Sequence, residues 1–194
     1  MNSRPLVLAS ASPRRVELLR GAGFDFEILV PQVKEAHDTT LTPEQLTLEN
    51  ARLKAVAGSR LRPGSLVIGA DTLVYVDGEP LGKPGDMDEA LAMVRRLSGR
   101  AHEVCTGVAF ACDGKVEREL HVITHVIFKS LTDEVIHDYH SKVNPLDKAG
   151  GYGIQGCTEM LLHHMTGSFT NVVGLPVEEV SAALIELTAA SPAP

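Results

Sequence analysis

The sequence predicts an α/β protein with a mixed central β-sheet flanked by helices, and three observations support this. Short apolar runs alternate with helical patterns in the first half of the chain, as in βαβ units. Two long β-forming runs follow at 103–111 and 115–128, and Cys112-Asp113-Gly114 between them is a hairpin signal. Helical patterns then return. Parallel and antiparallel strands in one chain predict a mixed sheet.

The other elements follow from their own patterns. Strands are expected at 4–10, 24–30, 65–76 and 158–165, and helices at 13–20, 43–58 and 86–97, from about 132, and from 176 to about 187. Pro13 after Ser12, Pro43, and Asp86 as an N-cap mark helix starts. The second helix carries Leu46, Leu53 and Val56 as its apolar positions.

The remaining segments are predicted to lack regular structure. The stretch 144–156 is rich in glycine and polar residues, which predicts an irregular loop, and 189–194 is expected to be a frayed tail. No internal repeat or linker composition is present. We therefore expect residues 1–194 to form one domain.

Composition excludes several classes of protein. The chain has 194 residues, of which 44% are hydrophobic and 22% charged, as in one soluble globular domain. Lys and Arg total 18 against 25 Asp and Glu, a net charge of −7, which argues against a general nucleic-acid binder. No apolar stretch reaches the roughly 18 residues of a membrane span. No signal peptide is recognised, and three cysteines without C-x-x-C spacing predict a reducing, cytoplasmic setting.

The sharpest local signal is Ser10-Ala11-Ser12-Pro13-Arg14-Arg15, between a strand and a helix. Free backbone N–H groups and the positive end of the helix dipole meet there, which favours anions. Two arginines in the first turn oppose the dipole, and a bound phosphate would remove that cost. The alternative is a solvated helix start with incidental arginines.

Asp71 is the second signal, because it interrupts a nearly continuous apolar strand. A buried carboxylate is costly unless a cation, a metal or water offsets it. It is therefore a candidate general base or metal ligand, the alternative being a residue that caps a turn. Lys83, on the loop after this strand, offers a positive charge nearby, although alone it would be an ordinary surface lysine.

Two glycine motifs do not indicate the folds they superficially match. Gly78 to Lys83 lacks the spacing of a Walker A loop. Gly151-Tyr152-Gly153-Ile154-Gln155-Gly156 matches G-x-G-x-x-G, yet no strand precedes it, so a dinucleotide fold is rejected. These glycines instead allow the backbone to approach a flat ligand, and the amide of Gln155 can both donate and accept at a base edge.

A zinc site is the weaker interpretation of the histidines. His137 and His140 lie three apart on a predicted helix, but no third ligand is evident. His163 and His164 are adjacent on a predicted strand, so their side chains point to opposite faces. We expect structural or solvated histidines, and we expect the cysteines to be small buried thiols.

The chain resembles the Maf-like nucleotide pyrophosphatases, beginning at Ser10-Ala11-Ser12-Pro13-Arg14-Arg15. The further matches run in order along nearly the whole chain: Lys54-Ala55, Gly69-Ala70-Asp71-Thr72, Leu81-Gly82-Lys83-Pro84, His102-Glu103-Val104 with Thr106-Gly107-Val108, Asp147-Lys148-Ala149-Gly150 with Tyr152, and Gly167-Ser168 with Asn171-Val172-Val173-Gly174-Leu175-Pro176. Arg14, Thr72 and Gln155 resemble the dTTP/UTP pyrophosphatase subgroup.

The resemblance implies a cytoplasmic, homodimeric enzyme with a Maf/ITPase-like fold. It would cleave a nucleoside triphosphate between its α and β phosphates with Mg²⁺ or Mn²⁺. Asp71 would then be the base and, with Glu35, a metal ligand. Thr72 and Gln155 would read the pyrimidine, with Arg14 also contributing to specificity. The expected phosphate-binding residues are Ser10, Arg14, Arg15, Lys54 and Lys83.

Two other functions stay open at this point. One is a non-catalytic nucleotide-binding regulator of cell division and septum formation, although such a protein would not need Asp71 and Lys83. The other is a hydrolase that removes altered purine triphosphates such as ITP, which Gln155 does not exclude.

Overall fold

The computed structural model describes residues 4–38 and 40–189, and within them a seven-stranded sheet is flanked by helices. The strands are β1 (Leu6–Ala9), β2 (Glu27–Leu29), β3 (Leu66–Val76), β4 (Glu79–Leu81), β5 (Ala101–Cys112), β6 (Lys115–Phe128) and β7 (Leu162–Thr166). The helices are α1 (Pro13–Gly21), α2 (Pro43–Leu61), α3 (Met87–Leu97), α4 (Asp133–Lys142), α5 (Thr158–Leu161), α6 (Phe169–Val173) and α7 (Val177–Ala189), with a 3₁₀ turn at Ala149–Gly151.

The sheet is mixed, as the sequence predicts. Its strand order is β2-β1-β3-β5-β6-β7, with β4 paired to β3. β1 runs parallel to both β2 and β3, whereas the β3–β5, β5–β6 and β6–β7 pairs are antiparallel. The predicted hairpin joins β5 to β6 with φ of 48° at Asp113 and 78° at Gly114, the left-handed pair that two-residue hairpins favour. β3 is therefore the strand at which the direction of pairing changes.

The predicted strand at 158–165 is wrong in its first half, where the chain forms α5. Cys157 has φ of 55°, and the Thr158 hydroxyl donates to the carbonyl of Ile154, which together turn the chain into one helical turn before β7. Sequence patterning also misses β4 and α6, which are only three and five residues long. Most of the expected frayed tail, from residue 190 onward, lies outside the described residues.

The two faces of the sheet are covered by different helices. Leu66, Ile68 and Ala70 of β3 pack with Leu19 of α1 and Val180 of α7. Farther along the same face, a second apolar cluster joins the ends of β3, β5 and β6 to α3 and α4. The opposite face of β3 and β5 packs against α2. Within the described residues, no helix is both long and apolar enough to cross a membrane.

Helix α2 lies unusually close to the sheet because its contact face is made of small residues. Of the predicted apolar positions, Leu46 is buried, whereas Leu53 and Val56 are only partly buried. The other buried positions include Thr47, Asn50, Ala51 and Ala55, whose small side chains allow a closer approach than leucine. The residues facing α2 are also small: Gly69 on β3 and Gly107 on β5.

Gly107→Ala should destabilise the protein, because the added Cβ would lie 2.5 Å from the carbonyl carbon of Thr47, where only backbone could move. Overpacking of this kind costs about 1–3 kcal/mol in the free energy of unfolding. Urea denaturation followed by circular dichroism measures it. Gly21→Ala is the matched control, because no atom lies within 4 Å of its added Cβ. Equal stability of the two variants would contradict the close packing.

Candidate active site

Asp71 lies on the α2 face of β3 and is 8% exposed. Lys54 Nζ donates to its Oδ1 at 2.8 Å, and Asn50 Nδ2 donates to its Oδ2 at 3.2 Å. Asn50 and Lys54 are four residues apart on α2, so their side chains project from the same face of the helix. The buried carboxylate is thus offset by one cation and one amide.

Glu35 joins the same group through the loop between β2 and α2. Lys54 Nζ contacts Glu35 Oε1 at 2.8 Å, so this oxygen and Asp71 Oδ1 share one ammonium group. Burial raises the pKa of Glu35, but the hydrogen bond and charge of Lys54, helped by the charge of Lys83, outweigh it. The pKa of Glu35 consequently lies below its ordinary value, and the group is ionised at neutral pH.

Asn50 also fixes the loop that carries Glu35. Its Oδ1 accepts from the backbone N–H of Ala36 at 2.7 Å, and its Nδ2 donates to the Ala36 carbonyl at 3.2 Å. One side chain therefore orients both carboxylates. The sequence interpretation missed Asn50, although an Asn one helical turn before Lys54, on the side of α2 that faces the sheet, was the available signal.

Arg15 is partly buried and holds the start of α1 against the sheet. Its Nε donates to the Gly174 carbonyl at 2.8 Å and one terminal nitrogen donates to the Ala70 carbonyl at 2.9 Å. The other donates to Thr72 Oγ1 at 3.0 Å. Burial lowers the pKa of Arg15, and the nearby charge of Asp71 offsets only part of that effect. Most of its donors are therefore used within the protein.

Arg14 points elsewhere, towards the glycine-rich segment. It forms an ion pair with Asp147 Oδ2 at 2.6 Å and also donates to the Asp147 carbonyl at 3.1 Å. Lys148 Nζ contacts the other oxygen, Asp147 Oδ1, at 2.6 Å. Burial raises the pKa of Asp147, but hydrogen bonds from Lys148 and Arg14 outweigh it and leave the pKa lowered.

Thr72 lies on the face of β3 opposite Asp71, because adjacent strand residues alternate. Its hydroxyl lies 2.9 Å from that of Thr106 and 3.3 Å from the Gly174 carbonyl, in addition to its bond with Arg15. Asn171, buried beside them, accepts from Thr106 through its backbone carbonyl at 3.2 Å. These polar residues lie between the two apolar clusters, and Thr72 is bonded to neighbours on this face.

The glycine-rich segment is anchored by aromatic residues. His102 Nε2 lies 2.8 Å from Tyr152 Oη, and burial lowers the pKa of His102 to about 4, so the ring is neutral. The Gly150 N–H donates to the Gly82 carbonyl at 2.9 Å, beside Lys83. Lys83 and Gln155 are both exposed. Among the described residues, neither side chain has a hydrogen-bonding partner.

The structure thus brings some of the predicted site residues together and separates others. Asp71 and Glu35 each form an ion pair with Lys54, and the charge of Lys83 helps to lower the pKa of Glu35. Ser10, 7% exposed, accepts through Oγ from the Ser12 N–H at 3.1 Å, beside Arg15. No contact joins Gln155 to Thr72 or to Asp71 within the described chain.

The histidines are used structurally or are exposed, and of the three cysteines, expected to be buried, Cys105 is buried whereas Cys112 and Cys157 are partly buried. His140 is buried with Nε2 3.1 Å from the Gly151 carbonyl, while His137 is exposed. Cys105 is buried beside Thr47, and burial raises the pKa of its thiol to about 11. No group of three or more His, Cys, Asp or Glu side chains suited to a metal ion occurs in residues 4–38 and 40–189.

The molecule belongs to the class of mixed α/β proteins in which a buried carboxylate is bound by a lysine beside an arginine-rich helix start. A HAM1 protein from Coxiella burnetii shares the fold, with a TM-score of 0.59 at 16% identity, over 94% of this chain and 99% of that one. The family model for Maf-like protein matches residues 5–187. The chain therefore belongs to the Maf family, as its motifs predict.

Curated relatives are similar over nearly their full length. One from Akkermansia muciniphila, named dTTP/UTP pyrophosphatase, is 46% identical over 93% of this chain and 95% of the relative. One from Symbiobacterium thermophilum with the same name is 49% identical over 89% of this chain and 88% of the relative.

Arg15→Lys should destabilise the protein without any nucleotide present, because an ammonium cannot replace the planar set of bonds to Ala70, Thr72 and Gly174. Lost hydrogen bonds from a charged group predict a decrease of about 1.5–3 kcal/mol in the free energy of unfolding. Arg14→Lys is the control, since its partner is a half-exposed carboxylate. Chemical denaturation measures the free energy of unfolding of both variants. An Arg15→Lys variant as stable as the wild type would refute this role of Arg15.

Proposed function

We propose that the chain hydrolyses dTTP and UTP to the nucleoside monophosphate and pyrophosphate. The observation that carries this proposal is the buried Asp71 carboxylate, held by Asn50 and Lys54 close to the helix start that bears Arg14 and Arg15. A base beside a cationic anion site is what hydrolysis of a phosphoanhydride requires. The names and high identities of the curated relatives support the same substrates.

Asp71 is the proposed general base. Each carboxylate oxygen has two lone-pair positions, and the contacts with Lys54 and Asn50 use one on each oxygen. The remaining positions can orient a water molecule and accept its proton as the water oxygen bonds to the α phosphorus and the bond from that phosphorus to the bridging oxygen breaks. Pyrophosphate leaves, and the proton stays on Asp71 until solvent removes it.

Phosphate binding is proposed for Ser10, Arg14, Arg15, Lys54 and Lys83. Lys83 is exposed, whereas Arg14, Arg15 and Lys54 are partly buried, and the first turn of α1 contains no acidic residue. The unpaired N–H groups of that turn add donors for an anion. Arg15 contributes mainly charge, because its donors already bind Ala70, Thr72 and Gly174.

A divalent cation, Mg²⁺ or Mn²⁺, fits the two carboxylates Asp71 and Glu35. Each carboxylate has one oxygen 2.8 Å from the same Lys54 Nζ, so these two oxygens lie near each other. Both are hard oxygen donors. Mg²⁺ commonly binds one or two carboxylates together with substrate phosphates, so no third protein carboxylate is needed. When bound, the cation would neutralise phosphate charge, while Lys54 keeps the carboxylates together in its absence.

Base selection is proposed for Gln155, with Thr72 and Arg14 contributing. The exposed Gln155 amide can donate to a pyrimidine carbonyl and accept from its N3–H. Thr72, on the other face of β3, contributes to base selection by holding Arg15 in place. Arg14 contributes through its ion pair with Asp147. We further propose one domain over residues 1–194 and a cytoplasmic homodimer; light scattering of the purified protein tests the dimer.

Asp71→Asn should lower pyrophosphate release from dTTP and UTP by about 10²- to 10⁴-fold, the contribution of a general base. The assay compares dTTP, UTP, CTP, GTP, 7-methyl-GTP and ITP with Mg²⁺ or Mn²⁺. Asp88→Asn, at an exposed position of α3, is the control with expected wild-type turnover. Near-normal turnover by correctly folded Asp71→Asn would refute the base, and nucleotide binding without any product would favour a sensor.

Glu35→Gln should raise the Mn²⁺ concentration that gives half-maximal activity by at least about tenfold, because a neutral amide is a poorer ligand for a hard cation. The measurement is a Mn²⁺ titration at saturating dTTP. Thermal stability without metal serves as the control for folding. An unchanged titration midpoint would remove Glu35 from the metal site.

A further inference from the structure

The segment from Asp147 to Gln155 carries the side chain proposed to read the base, but no hydrogen bond within the described residues holds that side chain in place. Gln155 is exposed, and it makes no hydrogen bond to any residue that the structure describes. Its position is therefore set by the backbone just before it. The backbone there is held by the buried Ile154, whose carbonyl accepts from Thr158, and by the contacts of Gly153, two residues before Gln155.

Tyr139 of α4 binds both polar backbone groups of Gly153. Its hydroxyl donates to the Gly153 carbonyl at 2.8 Å and accepts from the Gly153 N–H at 2.9 Å. The ring is fully buried, and Tyr139 belongs to the apolar cluster formed by β3, β5, α3 and α4. A single hydroxyl on a rigid element thus fixes the orientation of this backbone.

Lys148 lies against the other side of Gly153. A Cβ at Gly153 would come within 2.6 Å of Lys148 Cε, so the Lys148 side chain packs directly against this glycine. Lys148 Nζ in turn contacts Asp147 Oδ1 at 2.6 Å, and Asp147 Oδ2 contacts Arg14 at 2.6 Å. Contacts therefore run without a break from Tyr139, through the glycine-rich segment, to the helix start proposed to bind phosphate.

We infer that Tyr139 is a positioning residue for base selection, and that its hold on Gly153 keeps Gln155 at a fixed place relative to Arg14. The inference rests on the proposed function, because it assigns the selection step of that same site. Tyr139 makes no contact with Asp71, Lys54 or Glu35. Its loss should therefore change which nucleotide is accepted, and should leave the hydrolysis of a bound nucleotide unchanged.

Tyr139→Phe tests this inference by removing only the hydroxyl. The expected result is a KM for dTTP and UTP about five- to tenfold higher, with kcat retained and with kcat/KM for ITP unchanged. The preference for pyrimidines over ITP would fall by the same factor. A merely structural role would lower all three activities together, and either that outcome or an unchanged preference would overturn the inference.

Tyr75→Phe is the matched control. Tyr75 is also a buried tyrosine, on β3, but its hydroxyl has no hydrogen-bonding partner among the described residues, so its removal should leave the preference unchanged. If Tyr139→Phe does not fold, Asp147→Asn tests the other end of the contact chain, because it weakens the contacts with Arg14 and Lys148. Its expected effect is the same fall in pyrimidine preference, and an unchanged preference again overturns the inference.

Failure of the proposed function gives a different result. In that case the wild-type protein releases no pyrophosphate from dTTP, UTP or ITP. The preference is then measured as the ratio of dissociation constants for dTTP and ITP, by calorimetry with the wild type and Tyr139→Phe. A weaker preference for dTTP over ITP in Tyr139→Phe than in the wild type supports the positioning role even though no nucleotide is hydrolysed. An equal preference in the two proteins refutes it.

Discussion

The close approach of α2 to the sheet is the constraint on which the rest of the site depends. A Cβ at Gly69 would lie 2.2 Å from the Ala51 carbonyl oxygen, so the helix backbone rests almost directly on β3. This approach brings Asn50 and Lys54 within hydrogen-bonding distance of a carboxylate on the strand itself. A larger residue at the contact would move the helix outward. The same glycines therefore control both stability and the geometry of Asp71.

Negative side chains at the site are paired with positive ones, although the protein carries a net charge of −7. Lys54 is shared by two carboxylates, and Asp147 lies between Arg14 and Lys148. Each anionic side chain thus has a cation beside it in the free protein, which avoids the cost of an unpaired partly buried charge. An arriving triphosphate with its cation would exchange one set of ion pairs for another rather than create a new charge in the interior.

Sequence patterning predicted the elements that depend on local signals, and it failed where packing decides. The β5–β6 hairpin and the Asp86 cap of α3 follow from turn and capping residues, and both are present. Asp71 was identifiable because a carboxylate interrupts an apolar strand. On α2 the predicted apolar position Leu46 is buried, but Leu53 and Val56 are only partly buried, because the helix contacts the sheet through alanines that permit a close approach. Asn50 was missed for the same reason, since its role depends on how near the helix lies to β3.

Strand alternation gives Asp71 and Thr72 different surroundings although they are neighbours in one motif. Asp71 faces α2, whereas Thr72 faces Arg15, Thr106 and the Gly174 carbonyl. Arg15 links the two sides, because it binds Thr72 and the Ala70 carbonyl while the charge of Asp71 partly offsets the lowering of its pKa. A change at Thr72 would therefore affect the carboxylate through the Arg15 guanidinium instead of through direct contact. Asp71 and Thr72 are adjacent in sequence, but they belong to two separate sets of contacts on opposite faces of β3, and Arg15 connects the two sets.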